Sequence, residues 1–285
     1  MTQFFSAAGT SLHYELRGEG PLLVCQPGGP ARPASYLDTL GGLERHRTLL
    51  LLDPRGVGGS DPAEDYGFAA LAEDLEALRL HLGVDGFDLL GHSAGALPAV
   101  LHAARRPGRV RRLVLLTPTR RPIPPQDGEP GRAALARELF DGEPWLDGAL
   151  AALEKAPTAS DDEFPSLARQ FTPVFYGRWD AAAQAHAFRP DDCDSAPEAA
   201  AGFGASPFDP ASLSAITAPV TVLAGDRDVS VGLAAPAVWA SWLPGATLEW
   251  LPGCGHFPWL ENPAGVSRAI LTALGTPSDP DASAM

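Results

Sequence analysis

Apolar runs of strand length alternate with stretches whose apolar positions recur every three or four residues through the first 118 positions, and the alternation returns after about residue 218. Residues 22–25, 48–52, 87–90 and 110–116 read as strands, the second almost pure leucine, as suits strands covered on both faces. Phe68, Leu71, Leu75, Leu78 and Leu82 keep helical spacing, and residues 94–104 form a helix of small side chains able to pack close to a sheet. Residues 220–223 and 247–251 add two strands, with helices over 234–242 and 264–274. Strand followed by helix almost throughout predicts an α/β fold, a mostly parallel sheet with helices on both faces.

The segment from Thr119 to Ser206 breaks this pattern. It opens Pro-rich over 122–130 and then shows helical periodicity over 132–140, 146–153 and 164–175, with no convincing strand. This predicts a helical cap, residues 119–206, inserted into a core built from residues 1–118 and 207–285. Residues 276–285 are polar and aperiodic and read as a frayed tail.

Composition narrows the function classes. The 285 residues carry 35 acidic against 21 basic side chains, a net charge of −14, which repels phosphate backbones and anionic lipid heads. Neither nucleic acid nor a membrane surface is an expected partner. No apolar stretch reaches the roughly 18 residues of a membrane span, and Met1 to Thr10 lack a secretory leader. A cytoplasmic protein is expected. Cys25, Cys193 and Cys254 are odd in number and widely spaced, and read as free thiols.

Three segments could carry chemistry. Gly91-His92-Ser93-Ala94-Gly95 follows a predicted strand and opens a predicted helix, the context of a G-x-S-x-G nucleophile elbow. Glycines flank a turn too tight for side chains, Ser93 stands at its apex, and His92 reads as an elbow-packing residue. A serine hydroxyl is a poor nucleophile unless a base and an orienting acid attend it. Gly225-Asp226-Arg227-Asp228 after one strand and Gly253-Cys254-Gly255-His256 after the next supply both, in the chain order Ser, Asp, His. His256 is the candidate base; spacing alone leaves Asp226 and Asp228 open as the acid. Gln26-Pro27-Gly28-Gly29-Pro30 follows the strand 22–25 and can aim a backbone N–H at a substrate carbonyl, so the candidate oxyanion hole is the N–H groups of Gly29 and Ala94.

Two other features read as structural. Asp53-Pro54-Arg55-Gly56-Val57-Gly58-Gly59-Ser60 lacks the Lys-Ser/Thr ending of a phosphate loop, so Asp53 and Arg55 are expected to pin backbone. Cys254 is an expected packing residue.

Together these motifs resemble the α/β-hydrolases, and within that superfamily the chain is similar to the proline iminopeptidase (prolyl aminopeptidase) group over most of its length outside the cap. In that group the loops read H-G-G-P-G and D-Q-R-G-x-G-x-S, the acid lies three residues after a strand-end glycine, and the histidine sits in G-C-G-H before an E-x-P ending. Here Asp53 to Ser60 departs only at Pro54, Gly225 points to Asp228 as the acid, and Gly253 to His256 with Glu261-Asn262-Pro263 fits. Pro27 replaces the family's His, Ala31 its last Gly, and the elbow is G-H-S-A-G rather than G-G-S-W-G. The resemblance implies an α/β-hydrolase fold with a sheet of about eight strands.

It also implies a serine hydrolase that works through an acyl-enzyme and releases an N-terminal proline or small residue from peptides. Iminopeptidases hold the substrate amine with cap carboxylates, and Glu163 and Asp180 lie in acidic cap helices here. The departures point to an alternative, a capped carboxylesterase, lactonase or C–C bond hydrolase. A non-catalytic binding protein on the same scaffold is a minor alternative. On any catalytic reading the partner is a small molecule or short peptide and no metal or organic cofactor is needed, because nucleophile, base and oxyanion donors are all in the chain.

Overall fold

A computed structural model of the protein describes residues 2–5, 9–189, 195–204 and 208–275. Its strands are β1 (Thr2–Phe5), β2 (Ser11–Arg17), β3 (Leu22–Gln26), β4 (Thr48–Leu52), β5 (Phe87–His92), β6 (Val110–Leu116), β7 (Val220–Gly225) and β8 (Thr247–Leu251). They form one eight-stranded sheet in the order β1-β2-β4-β3-β5-β6-β7-β8. β2 runs antiparallel to β1 and β4, and every other neighbouring pair is parallel. The period of two along each strand explains the leucine runs. Leu23, Leu49, Leu51, Leu90 and Val114 enter the core on one face, and Val24, Leu50, Leu52, Leu89 and Leu113 enter the core on the other. β1 and β2 escape the sequence reading because β2 shows alternation (Leu12, Tyr14 and Leu16 against His13, Glu15 and Arg17) in place of an apolar run, towards the sheet edge.

Helices α1 (Phe68–His81) and α2 (Ala96–Arg105) pack on one face. Between β6 and β7 the described residues include five α-helices, α3 (Arg132–Phe140), α4 (Leu146–Lys155), α5 (Phe164–Phe171), α6 (Ala181–Ala187) and α7 (Pro197–Gly202), the last two unmarked by sequence periodicity. α8 (Ala235–Trp242) joins α1 and α2, while the short α9 (Pro258–Glu261) and α10 (Pro263–Ala273) cover the opposite face. Leu135, Phe140, Leu146 and Leu150 of the inserted helices close a small core of their own with Val174 and Val229. Among the described residues no helix is long and apolar enough to cross a membrane. Cys193 and the segment 276–285 lie outside the described residues.

The Asp53 to Ser60 loop is a brace. Asp53 accepts N–H bonds from Ala34 (2.8 Å) and Gly59 (3.0 Å), and Arg55 pairs with the buried Asp74 at 2.5 Å while donating to Asp65 O. The loop thus ties β4 to the start of α1 and to the segment following β3.

Candidate active site

The strand β5 ends in a turn that no relaxed backbone would make. Ser93 holds φ at +53°, a left-handed value that costs a non-glycine residue of order 1–3 kcal/mol. Close packing enforces it. A Cβ on Gly95 would stand 2.3 Å from Pro27 O, and one on Gly28 would stand 2.8 Å from Ser93 Cβ. Only glycine at both positions lets the elbow and the β3 loop touch. Ser93 is therefore lifted above the carboxyl edge of the sheet, where strand-end loops converge.

His256 Nε2 lies 2.9 Å from Ser93 Oγ, and its Nδ1 lies 2.8 Å from Asp228 Oδ2. The second Asp228 oxygen accepts N–H bonds from Ser230 (2.9 Å) and Val231 (3.3 Å), so the carboxylate cannot swing away. Asp226 instead accepts from Gly253 N–H at 2.7 Å, at the surface. The His256 backbone is fixed at both ends: its N–H donates to Phe175 O at 2.8 Å, and its carbonyl accepts from Thr117 Oγ1 at 3.2 Å and from His92 Nε2 at 3.0 Å.

The last of these bonds fixes a proton. A carbonyl can only accept, so His92 Nε2 carries hydrogen and Nδ1 is the acceptor for Tyr36 O–H, 2.6 Å away. Tyr36 Oη in turn accepts the Gly28 N–H at 2.7 Å. His92 is neutral in keeping with this, because burial holds its pKa well below the usual imidazole value, with His256 adding to the effect. One hydrogen-bonded line thus runs from the β3 loop through Tyr36 and His92 to the His256 backbone. It also commits the Gly28 N–H, whereas no such bond occupies the Gly29 N–H among the described residues. Tyr36→Phe leaves the Gly28 N–H and His92 Nδ1 unpartnered in the interior. Its expected effect is a loss of about 1–3 kcal/mol in denaturant stability and a kcat reduced more than KM, checked by paired denaturation and initial-rate curves.

Glu261 joins the histidine loop to the inserted segment. Its carboxyl is buried and accepts the N–H groups of Gly255 (2.5 Å) and Gly177. Burial pushes its pKa up to about 7, against the pull of those donors. Between about pH 4.5 and 7 the folded chain keeps a proton that the unfolded chain has lost, so stability falls as pH rises through that window. Melting temperature against pH for wild type and Glu261→Gln checks this: the wild-type decline over that range is expected to flatten in the variant. Cys254, with its thiol pushed up to about 12 by burial first and Glu261 second, is an unreactive packing group.

Ser93, His256 and Gly29 border a cavity of about 730 Å³. Neither cap carboxylate singled out in the sequence faces it. Asp180 caps α6 through Ala183 N–H (2.9 Å) and pairs with Arg178, and Glu163 bonds back to Ser160.

The alpha/beta hydrolase fold family matches residues 21–263 of the chain. The protein belongs to that family. A 143-residue segment is 36% identical to N-formylmaleamate deformylase of Pseudomonas putida, covering 49% of each chain. That match spans about half the length of that relative. A 2-hydroxymuconate semialdehyde hydrolase of Pseudomonas putida is 28% identical over 93% of this chain and 90% of its own. In fold the chain is similar to an esterase of Exiguobacterium antarcticum, with a TM-score of 0.72 and 21% identity over 96% of this chain and 99% of that one. The superfamily expected from the motifs is therefore right, while none of these relatives carries the name of the iminopeptidase branch. Sequence reading did not find Tyr36, Thr117 or the role of His92, because no local motif marks a residue that acts across 56 or 139 positions.

Proposed function

We propose that this hydrolase is a serine hydrolase acting on small-molecule acyl substrates, of the carboxylesterase, lactonase, amide or C–C bond type. One observation carries the reading: the line Asp228, His256, Ser93 ends in a strained serine on the wall of a large cavity. Ser93 Oγ attacks the substrate carbonyl while its proton passes to His256 Nε2, and Asp228 holds Nδ1–H and steadies the imidazolium. The N–H groups of Ala94 and Gly29 receive the developing oxyanion. His256 then protonates the leaving group. Water attacks the acyl-serine, giving one proton to His256, which returns it to Ser93 Oγ as the acid departs.

The relatives named as a deformylase and a semialdehyde hydrolase support this reading over release of an N-terminal proline. So does the absence of Asp and Glu from the described cavity lining, since a substrate ammonium in a partly dehydrated pocket needs an anionic partner. Initial rates on 4-nitrophenyl butyrate and proline 4-nitroanilide test it. Ester turnover without arylamide turnover is expected; arylamide turnover at comparable kcat/KM would restore the iminopeptidase reading. A fluorophosphonate probe that fails to label native protein would point to the non-catalytic scaffold.

A further inference from the structure

The cavity over Ser93 carries charge opposite to that of the molecule. The chain is net −14, yet the charged side chains among the described cavity-lining residues are Arg32, Arg120, Arg121 and Arg132. All four contact protein groups. Arg120 pairs with the half-buried carboxylate of Glu129, and Arg32 lies 4.1 Å over the Tyr36 ring and 5.4 Å from that of Phe257. Arg121 likewise lies over a ring, 5.9 Å from that of Phe68, and both it and Arg132 are exposed. Arg121 Nη1 donates to Phe203 O and Arg132 Nη2 to Ser230 O, each at 3.0 Å, and neither meets a carboxylate among the described residues. A guanidinium offers five N–H donors in a rigid fork, so each of these cavity-lining arginines keeps donors beyond the one it uses.

Their positions bracket the reacting groups. Arg121 follows Thr119, whose N–H donates to Ser93 O at 3.0 Å. Arg132 opens α3 and binds the carbonyl of Ser230, the residue whose N–H holds Asp228. We propose that the substrate carries a carboxylate remote from its scissile carbonyl, and that Arg121 and Arg132 bind this carboxylate while the carbonyl sits at Ser93. The inference rests on the serine-hydrolase reading and names its substrate class. Planar guanidinium matches carboxylate in paired, charge-assisted hydrogen bonds, which select geometry as well as charge.

Two probes test this on the full chain. Calorimetry of glutarate binding to Ser93→Ala protein is expected to show saturable binding, weakened at least about tenfold when Arg121→Gln or Arg132→Gln is added and partly restored by Arg→Lys. Mono-4-nitrophenyl adipate and its methyl-capped counterpart differ in one charge. Wild type is expected to prefer the anionic ester by about tenfold or more in kcat/KM, mostly through KM, and the Gln variants to bring the ratio toward one. Arginine-dependent selection of either probe supports the proposal. Equal turnover of the two esters by wild type, with no saturable glutarate binding, overturns it while leaving the hydrolase reading intact. Arginine-dependent glutarate binding without turnover of either ester would keep the anion site and overturn the hydrolase reading.

Discussion

Ser93→Ala is expected to lower kcat/KM for a short-chain 4-nitrophenyl ester by about 10⁴-fold or more, with secondary structure and melting temperature close to wild type. The size follows from what the hydroxyl does. On the proposed mechanism it forms the covalent acyl bond, and its loss leaves His256 Nε2 without the partner now 2.9 Å away. What survives is the oxyanion site and substrate binding. Stability changes little because alanine at φ +53° is strained to a similar degree as serine, and the glycine contacts that enforce the turn do not involve the hydroxyl. His256→Ala is expected to cost about as much, and the double variant little more, since the two act as one unit. Retention of more than about a tenth of wild-type activity by Ser93→Ala would place the nucleophile elsewhere.

Asp228→Asn is expected to reduce kcat by about 10⁴-fold near neutral pH, and Asp226→Asn by less than about threefold. The difference is one of proton placement. Asp228 Oδ1 accepts two backbone N–H groups, so an asparagine there keeps its oxygen on Ser230 and Val231 and turns its NH₂ toward His256 Nδ1. Nδ1 must then be the acceptor, Nε2 holds the hydrogen, and no base faces Ser93. Asp226 spends its carboxylate on Gly253 N–H at the surface and meets neither ring nitrogen. Initial rates of the two variants across pH 6 to 9 decide the matter. Equal losses in both would remove Asp228 as the orienting acid.

Much of this fold is written in short-range pattern. The runs over β3 to β7 are legible because strands covered on both faces take apolar side chains at nearly every position, and the Ser93 elbow is legible because only small residues survive that turn. β2 was hidden by its alternating pattern, and α6 and α7 by their shortness and small side chains.

The chain by itself determined that a strand, a tight glycine-flanked turn and a helix carry Ser93, and that an acid and a histidine follow on later strand-end loops. Tertiary structure decided which acid meets His256, because bonded N–H groups turn Asp228 toward its Nδ1 and Asp226 toward Gly253. It alone joined Tyr36, His92 and Thr117 to the His256 backbone. It alone brought arginines from three separate stretches of an acidic chain to one cavity beside Ser93. Charge summed along a sequence carries no direction, whereas a pocket's charge depends on which side chains the packed helices turn inward.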